Sequence, residues 1–264
     1  MDAKIKSQFT IGYNPIVDFE KDDMMMDYGV LKLGKNTQYT DDLTQYERVF
    51  HLIQGEIKIS WEGKEEFPIR KSFLDDDFWA LNVPEGVVVT IEGLSEDSEV
   101  AIFRTPNDIK FESVVRNKSN SVIETRGEGF MNEAGTRIVK TLMDKKLAPE
   151  SNFMFGEDVH YPGKWSGFPS HSHNQPEIYF YKFFPEDGFG LLKLGDDGVC
   201  IEQNDTVKII PDLVHPQVSA PGYAMFYIWV IRHLEGNPYI KPDMEEKHLW
   251  VEQEGAKYWP ELQP

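Results

Sequence analysis

Short apolar or alternating runs of four to eight residues recur along the whole chain. They include Val49–Ile53, Glu56–Trp61, Trp79–Val83, Val87–Ile91, Val100–Phe103, Ile178–Phe184, Val207–Ile210 and Ala224–Ile231. These runs are rich in β-branched and aromatic side chains and are separated by Gly, Pro, Asp and Asn, the pattern of strands joined by turns. Turn signals stand at Glu62-Gly63, Pro84-Glu85-Gly86, Glu186-Asp187-Gly188 and Asp196-Asp197-Gly198. Helical periodicity is weak, and Ala134 to Lys146 fits either a strand with a turn or a short helix. The pattern predicts an all-β sandwich or barrel.

The pattern also repeats. One unit runs from Glu47-Arg-Val-Phe-His to Asn82-Val-Pro84-Glu-Gly-Val-Val88, the other from Glu177-Ile-Tyr-Phe-Tyr to Ile209-Ile-Pro211-Asp-Leu-Val-His215. Glu and Pro are 37 residues apart in the first unit and 34 in the second. Two similar barrels account for the length, with residues 1–115 as the N-terminal unit and 116–264 as the C-terminal one. The polar stretch Val115–Ser121 reads as the linker.

Composition narrows the partners. A formal net charge of −18 argues against nucleic acid and anionic membrane surfaces. It also requires local cations in any site for an acidic substrate. The single cysteine, Cys200, excludes an internal disulfide and fits a reducing cytoplasm. Its place between Val199 and Ile201 predicts a small buried hydrophobe. The start of the chain shows no apolar core of signal-peptide length. The longest apolar run, Tyr223 to Ile231, is nine residues, against the roughly 20 of a membrane helix. These features predict a cytoplasmic protein. Exposed sheet edges in small barrels predict a homo-oligomer.

The densest chemistry is Pro169-Ser-His171-Ser-His173-Asn-Gln-Pro-Glu177, followed by Pro211-x₃-His215. On an extended strand His171 and His173 share a face. Glu177 re-enters that face after a short turn, and His215 begins a later strand that a closed barrel brings opposite. Three imidazoles and a carboxylate suit one divalent first-row ion: Zn, Mn, Fe, Co or Ni. The repeat supplies an internal control. Counted from Glu47 and Pro84, the histidine positions become Asp41, Leu43 and Val88, so the first unit is expected to bind no metal there. Glu47 itself reads as a solvated charge or a salt-bridge partner.

Glu177, Tyr179 and Tyr181 share a parity, so both tyrosines are candidates to enter the metal cavity and act with Glu177 in proton transfer. Tyr227 is a candidate substrate contact from the strand Ala224–Ile231. Lys182 and Lys193 are the candidate cations for a substrate carboxylate. His160 and His233 lack ligand spacing and read as core or surface residues. The run Met24-Met25-Met26 has no sequence-level reading.

These residues carry a resemblance. Gly163-Lys-Trp165-Ser-Gly-Phe-Pro169-Ser-His171-Ser-His173, Glu177-Ile-Tyr179-Phe-Tyr181 and Pro185-Glu-Asp-Gly188-Phe189-Gly190 are similar to segments of the 5-deoxy-glucuronate isomerase family of inositol catabolism. Pro211-x₃-His215-Pro216, Tyr227, Arg126-Gly127-x-Gly129, Arg137-x-Val139 and Trp79-Ala-Leu-x-Val83-Pro84 extend the match. It is dense from about residue 126 to 232 and patchy before residue 79. The resemblance implies a bicupin, two jelly-roll barrels in one chain. It also implies one metal in the C-terminal barrel, held by His171, His173, Glu177 and His215, and interconversion of an aldose uronic acid and a ketose. The chain departs from the family pattern in a short His173–Glu177 loop, in Leu213 where Gly is expected, and in Lys182 where His or Arg is expected. All three bear on which sugar acid is used.

The implied chemistry is Lewis-acid activation of a sugar carbonyl, with a pocket base moving a proton between adjacent carbons. No G-x-G-x-x-G follows a strand, in keeping with hydrogen transfer inside one molecule. The rival readings are a 4-deoxy-L-threo-5-hexosulose-uronate ketol-isomerase, a metal-dependent dioxygenase and a non-catalytic sugar-binding cupin.

Overall fold

The computed structural model describes residues 3–261. Among these, the only helical pieces are two short 3₁₀ turns, Met131–Glu133 and Glu246–Glu252; the other elements are strands. No helix is long and apolar enough to cross a membrane.

Two large antiparallel sheets dominate. The central path of the first orders Val114–Arg116, Ala80–Val83, Glu47–Trp61, Ser98–Thr105, Asp27–Leu33 and Gly12–Val17. The second orders Lys4–Lys6, Asp205–Ile209, Glu177–Phe184, Ala224–Arg232, Phe153–His160, Arg137–Met143 and Val122–Arg126. Lys4–Lys6, from the start of the chain, thus pairs with Asp205–Val207 in the second sheet. A four-stranded sheet of Trp165–Ser166, Gln217–Ser219, Phe189–Leu194 and Asp197–Glu202 faces the second sheet.

Period-two alternation divides the interior into three cores. Ile178, Phe180, Phe226, Ile228, Val230, Phe153 and Phe155 point one way and meet Val30, Val49, Ala101 and Phe103 of the first sheet. Tyr179, Tyr181, Tyr227 and Trp229 point the other way, toward Leu192, Leu194 and Ile201. A third core of Phe50, Leu52, Ile57, Ile59, Leu81 and Val100 fills the first unit. The inner strands are buried on both faces, which is why they read as nearly continuous apolar runs.

A charged cluster crosses the central core. Glu157 accepts Arg70 Nη2 at 2.6 Å and Nη1 at 2.9 Å, and Lys140 Nζ at 2.8 Å. Its other neighbour is His51 Nε2, at 2.9 Å. Glu157 shares its parity with Phe153 and Phe155, so it faces the first sheet, while its neighbour Asp158 faces the opposite side.

Several expectations change. Ala134 to Lys146 resolves as the strand Arg137–Met143 followed by a turn. Cys200 is exposed. It lies on the outer side of its strand, opposite exposed Leu191, while Ile201 takes the inward position. Glu47 is neither solvated nor salt-bridged. It is fully buried and accepts hydrogen bonds from neutral donors: Asn82 Nδ2 (3.0 Å), Asn107 Nδ2 (2.8 Å), Ser151 Oγ (2.5 Å) and the Asn152 amide (2.9 Å). Met24 and Met26 enter the central core, and Met25 turns outward at φ 57°.

The buried cluster generates a stability prediction. Burial alone would raise the Glu157 pKa; Arg70, His51 and Lys140 outweigh it and hold the carboxyl well below its ordinary 4.5. A depressed carboxylate pKa contributes stability above the unfolded-state pKa, and that stability is lost as pH falls toward the folded one. Glu157→Gln leaves Arg70 and Lys140 uncompensated and is expected to cost about 3–5 kcal/mol at neutral pH. Denaturant melts across pH are expected to show the wild-type protein losing stability below about pH 4.5, with a smaller loss in the variant.

Candidate metal centre

The inward face of the second sheet carries the site. His171 starts a two-residue strand, His171–Ser172, paired with Asp243–Met244 of the C-terminal segment. Glu177 opens the strand Glu177–Phe184, and His215 lies in the turn between Asp205–Ile209 and Gln217–Ser219. Closure of the sheets brings them together: His173 Nε2 is 3.0 Å and His215 Nε2 3.4 Å from Glu177 Oε2. His173, Glu177 and His215 form the one group among the described residues whose ligand atoms all lie within 4.8 Å of one another. His171 stands just outside it, its ring 5.1 Å from that of His215, centroid to centroid.

Each imidazole is oriented by the same device. His171 Nδ1 faces Pro169 O at 3.3 Å, His173 Nδ1 faces Gln175 O at 2.9 Å, and His215 Nδ1 faces Leu213 O at 2.8 Å. A carbonyl only accepts, so each Nδ1 carries the proton and each Nε2 of a neutral ring presents a lone pair. His215 Nε2 is buried with no hydrogen-bond partner, a costly arrangement unless a cation sits there. Ligand atoms about 2.1 Å from one ion lie roughly 3.0 Å apart at a right angle and roughly 3.4 Å apart at the tetrahedral angle. The observed separations match, so these donors fit a divalent ion.

Electrostatics agree. Burial lowers the His171 and His215 pKa to about 4, keeping both rings neutral. Burial also works against a charged His173, but its hydrogen bond to Glu177 raises its pKa above the ordinary value.

Around the ligands lies a cavity of about 100 Å³. His171, Glu177, Tyr179, Tyr227, Trp229, Arg126, Arg137, Asp158, Ser166 and Tyr239 are among its lining. Arg126 and Arg137 are directly opposite on paired strands. Arg137 Nε reaches Asp158 Oδ2 at 3.2 Å and Nη1 reaches Gly135 O at 3.0 Å, while Nη2 has no hydrogen-bond partner among the described residues. Arg126 is half-exposed and pairs with Glu124 at 2.7 Å. Tyr239, from the segment after the last long strand, sets its ring edge-on to His173 at 4.9 Å. A larger cavity of about 280 Å³ between Met131, Trp165, Phe168, Val251 and Tyr258 is almost wholly apolar.

The sequence candidates divide. Tyr179 lines the cavity with its hydroxyl unpartnered among the described residues, and burial holds its pKa well above 10. Tyr227 also lines it. Tyr181 shares their face but sits deeper, donating to Gln217 Oε1 at 2.6 Å. Lys182 does not reach the site. Its even position turns it to the opposite face, where it pairs with buried Glu99 at 2.5 Å. Lys193 is on the exposed side of its strand and donates to Gly195 O. The cations of the cavity are the arginines, and they, Asp158, Ser166 and Tyr239 escaped the reading of the sequence. In the first unit Asp41 binds Arg48 Nη1 at 2.8 Å and Arg104 Nη2 at 2.5 Å, and Leu43 and Val88 are exposed.

The model of the KduI/IolB family matches residues 4–251. The chain is 24 % identical over 221 residues to the 5-deoxy-glucuronate isomerase of Geobacillus kaustophilus, covering 77 % of this chain and 78 % of that protein. It is 23 % identical over 226 residues to the 5-deoxy-glucuronate isomerase of Bacillus subtilis strain 168, covering 78 % and 80 %. Among solved structures, an IolB-like protein from Salmonella typhimurium LT2 superposes with a TM-score of 0.84 at 18 % identity, covering 95 % of this chain and 99 % of that one. Lactobacillus farciminis oxalate decarboxylase gives 0.62 at 11 % identity, covering 96 % and 91 %. The shared architecture is the all-β cupin fold.

Removal of ligand atoms gives a direct check. His215→Ala is expected to abolish retention of a divalent ion in elemental analysis of purified protein, with strand content by circular dichroism unchanged. Val88→Ala, at the matching position of the first unit, is expected to leave metal content unaltered. Equal metal content in wild type and His215→Ala would contradict the assignment.

Proposed function

The chain belongs to the KduI/IolB family, and from that premise we propose that it is a metal-dependent aldose–ketose isomerase of an open-chain deoxy-uronic acid, with 5-deoxy-glucuronate, from inositol catabolism, as substrate. The observation that carries this reading is a divalent-ion donor set, His173, Glu177 and His215, beside a cavity lined by Glu177, His171 and two arginines. A sugar acid presents the two matching ends: a carbonyl with a neighbouring hydroxyl, and a carboxylate.

A divalent ion held by His173, Glu177 and His215, with His171 as the candidate fourth ligand, supplies Lewis-acid polarisation of the carbonyl and its neighbouring hydroxyl. Arg137 offers its unpartnered Nη2 to the carboxylate, and Arg126 stands across from it. Such charge-assisted bonds fix the chain direction of the sugar as well as its affinity. Tyr179 serves as a hydrogen-bond donor. A phenol whose pKa is pushed far above 10 by burial keeps its proton at neutral pH, so it is better suited to steady a substrate oxygen than to act as a base. Trp229, Val139, Met154 and Ile231 give the rest of the wall an apolar surface that excludes water.

The named relatives support an isomerase over the dioxygenase reading. The likeness to oxalate decarboxylase extends to the fold alone.

Incubation with 5-deoxy-glucuronate in deuterium oxide is expected to yield the ketose with solvent deuterium at the reacting carbons, and metal-stripped protein is expected to yield none. Arg126→Gln is expected to raise KM for the uronate by about 10-fold, the equivalent of one charged hydrogen bond, with kcat maintained. Its KM for a neutral aldose is expected to stay unchanged. Retained metal with no turnover of any deoxy-uronate would remove the isomerase reading.

A further inference from the structure

Isomerisation of an aldose to a ketose moves two hydrogens. One passes between the carbons; the other leaves the hydroxyl that becomes the ketone oxygen and reappears on the oxygen of the former aldehyde. The ligand set and Tyr179 leave this second transfer without an agent.

A short chain of hydrogen bonds runs along the cavity wall. Ser166 Oγ lies 2.7 Å from the Tyr227 hydroxyl, and that hydroxyl donates to Asp158 Oδ2 at 3.0 Å. Asp158 is buried and also accepts Trp229 Nε1 at 2.8 Å and Arg137 Nε at 3.2 Å. Trp229 and Arg137 can only donate and the Tyr227 hydroxyl donates as well, which stabilises the ionised carboxylate, with Arg137 compensating its charge. The Tyr227 hydroxyl has one hydrogen and gives it to Asp158. Ser166 must therefore donate to Tyr227, which leaves the remaining Ser166 lone pairs to accept from a group in the cavity. Both hydrogen bonds of the chain thus run toward the carboxylate. Besides Glu177, which is engaged with two histidines, Asp158 is the only acid among the cavity-lining residues.

We propose that Ser166, Tyr227 and Asp158 form a relay that carries the hydroxyl proton of the bound sugar. This rests on the isomerase reading above. As the ketone forms, the substrate O–H gives its proton to Ser166 Oγ, Ser166 gives its own to Tyr227, and Tyr227 gives its own to Asp158, which becomes a neutral acid. The O–H electron pair stays on the substrate oxygen and becomes part of the new C=O bond. The same chain then runs in reverse and delivers one proton to the oxygen of the former aldehyde. Asp158 ends ionised, as it began, and no other reactant is consumed. Burial raises the affinity of Asp158 for a proton, which suits a temporary acceptor. Ser166 is the member that touches substrate, and Tyr227 and Asp158 act through it.

The test uses the metal-loaded protein with 5-deoxy-glucuronate and three variants. Tyr227→Phe keeps the ring and cuts the chain in the middle. It is expected to lower kcat on the order of 10²–10⁴-fold with KM unchanged. The curved proton inventory of the wild type in mixed light and heavy water is expected to become linear. Ser166→Ala is expected to behave in the same way, and Ser166→Thr, which restores a hydroxyl, is expected to recover most of kcat. Wild-type turnover with Tyr227→Phe equally active, or Ser166→Thr no better than Ser166→Ala, would overturn the relay and leave the isomerase standing. An inactive wild type would overturn both.

Discussion

Three imidazoles in this protein are each held by one hydrogen bond from Nδ1 to a carbonyl two residues away, and that constraint governs the rest of the site. It consumes the proton-bearing nitrogen of each ring and leaves Nε2 as a bare lone pair. Two such lone pairs converge on one carboxylate oxygen in a buried place. Without a cation between them, lone pairs that face a buried carboxylate oxygen repel it. The second-sheet strands supply the rigid frame. Their alternation sends one set of side chains into the central core and the other to the ligands and the cavity.

The two halves of the chain use similar strand patterns for different ends. In the first, Asp41 is locked by Arg48 and Arg104, and Glu47 is saturated by neutral donors. Both carboxylates there are engaged by other protein groups. In the second, Arg126 and Arg137 line the cavity, each with one ion-pair partner, Glu124 and Asp158. A protein of net charge −18 would repel an anionic sugar at long range. At the short distances of the cavity, the guanidinium groups of Arg126 and Arg137 act against that field.

The strands were legible because period-two alternation and turn residues are local signals. The His171-x-His173-x₃-Glu177 cluster was legible as a local spacing, and His215 by its place after Pro211, although it sits in the turn before Gln217–Ser219 and does not begin a strand. Arg126, Arg137, Asp158, Ser166 and Tyr239 reach the cavity by cross-strand register and by the return of the C-terminal segment, neither of which is written in linear spacing. A signal against Lys182 was present: it stands five residues from Glu177, on the opposite parity, and Glu99 receives it on the other face. Cys200 misled because its apolar neighbours, Val199 and Ile201, share the inner face of a hairpin strand while Cys200 itself lies on the outer one.

X-ray absorption on the loaded protein addresses the donor set at the atomic level. The account predicts a first shell of imidazole nitrogen and carboxylate oxygen at about 2.0–2.2 Å, with the outer-shell scattering of at least two histidine rings bound through Nε2. A shell of water oxygens alone, or imidazoles bound through Nδ1, would contradict it.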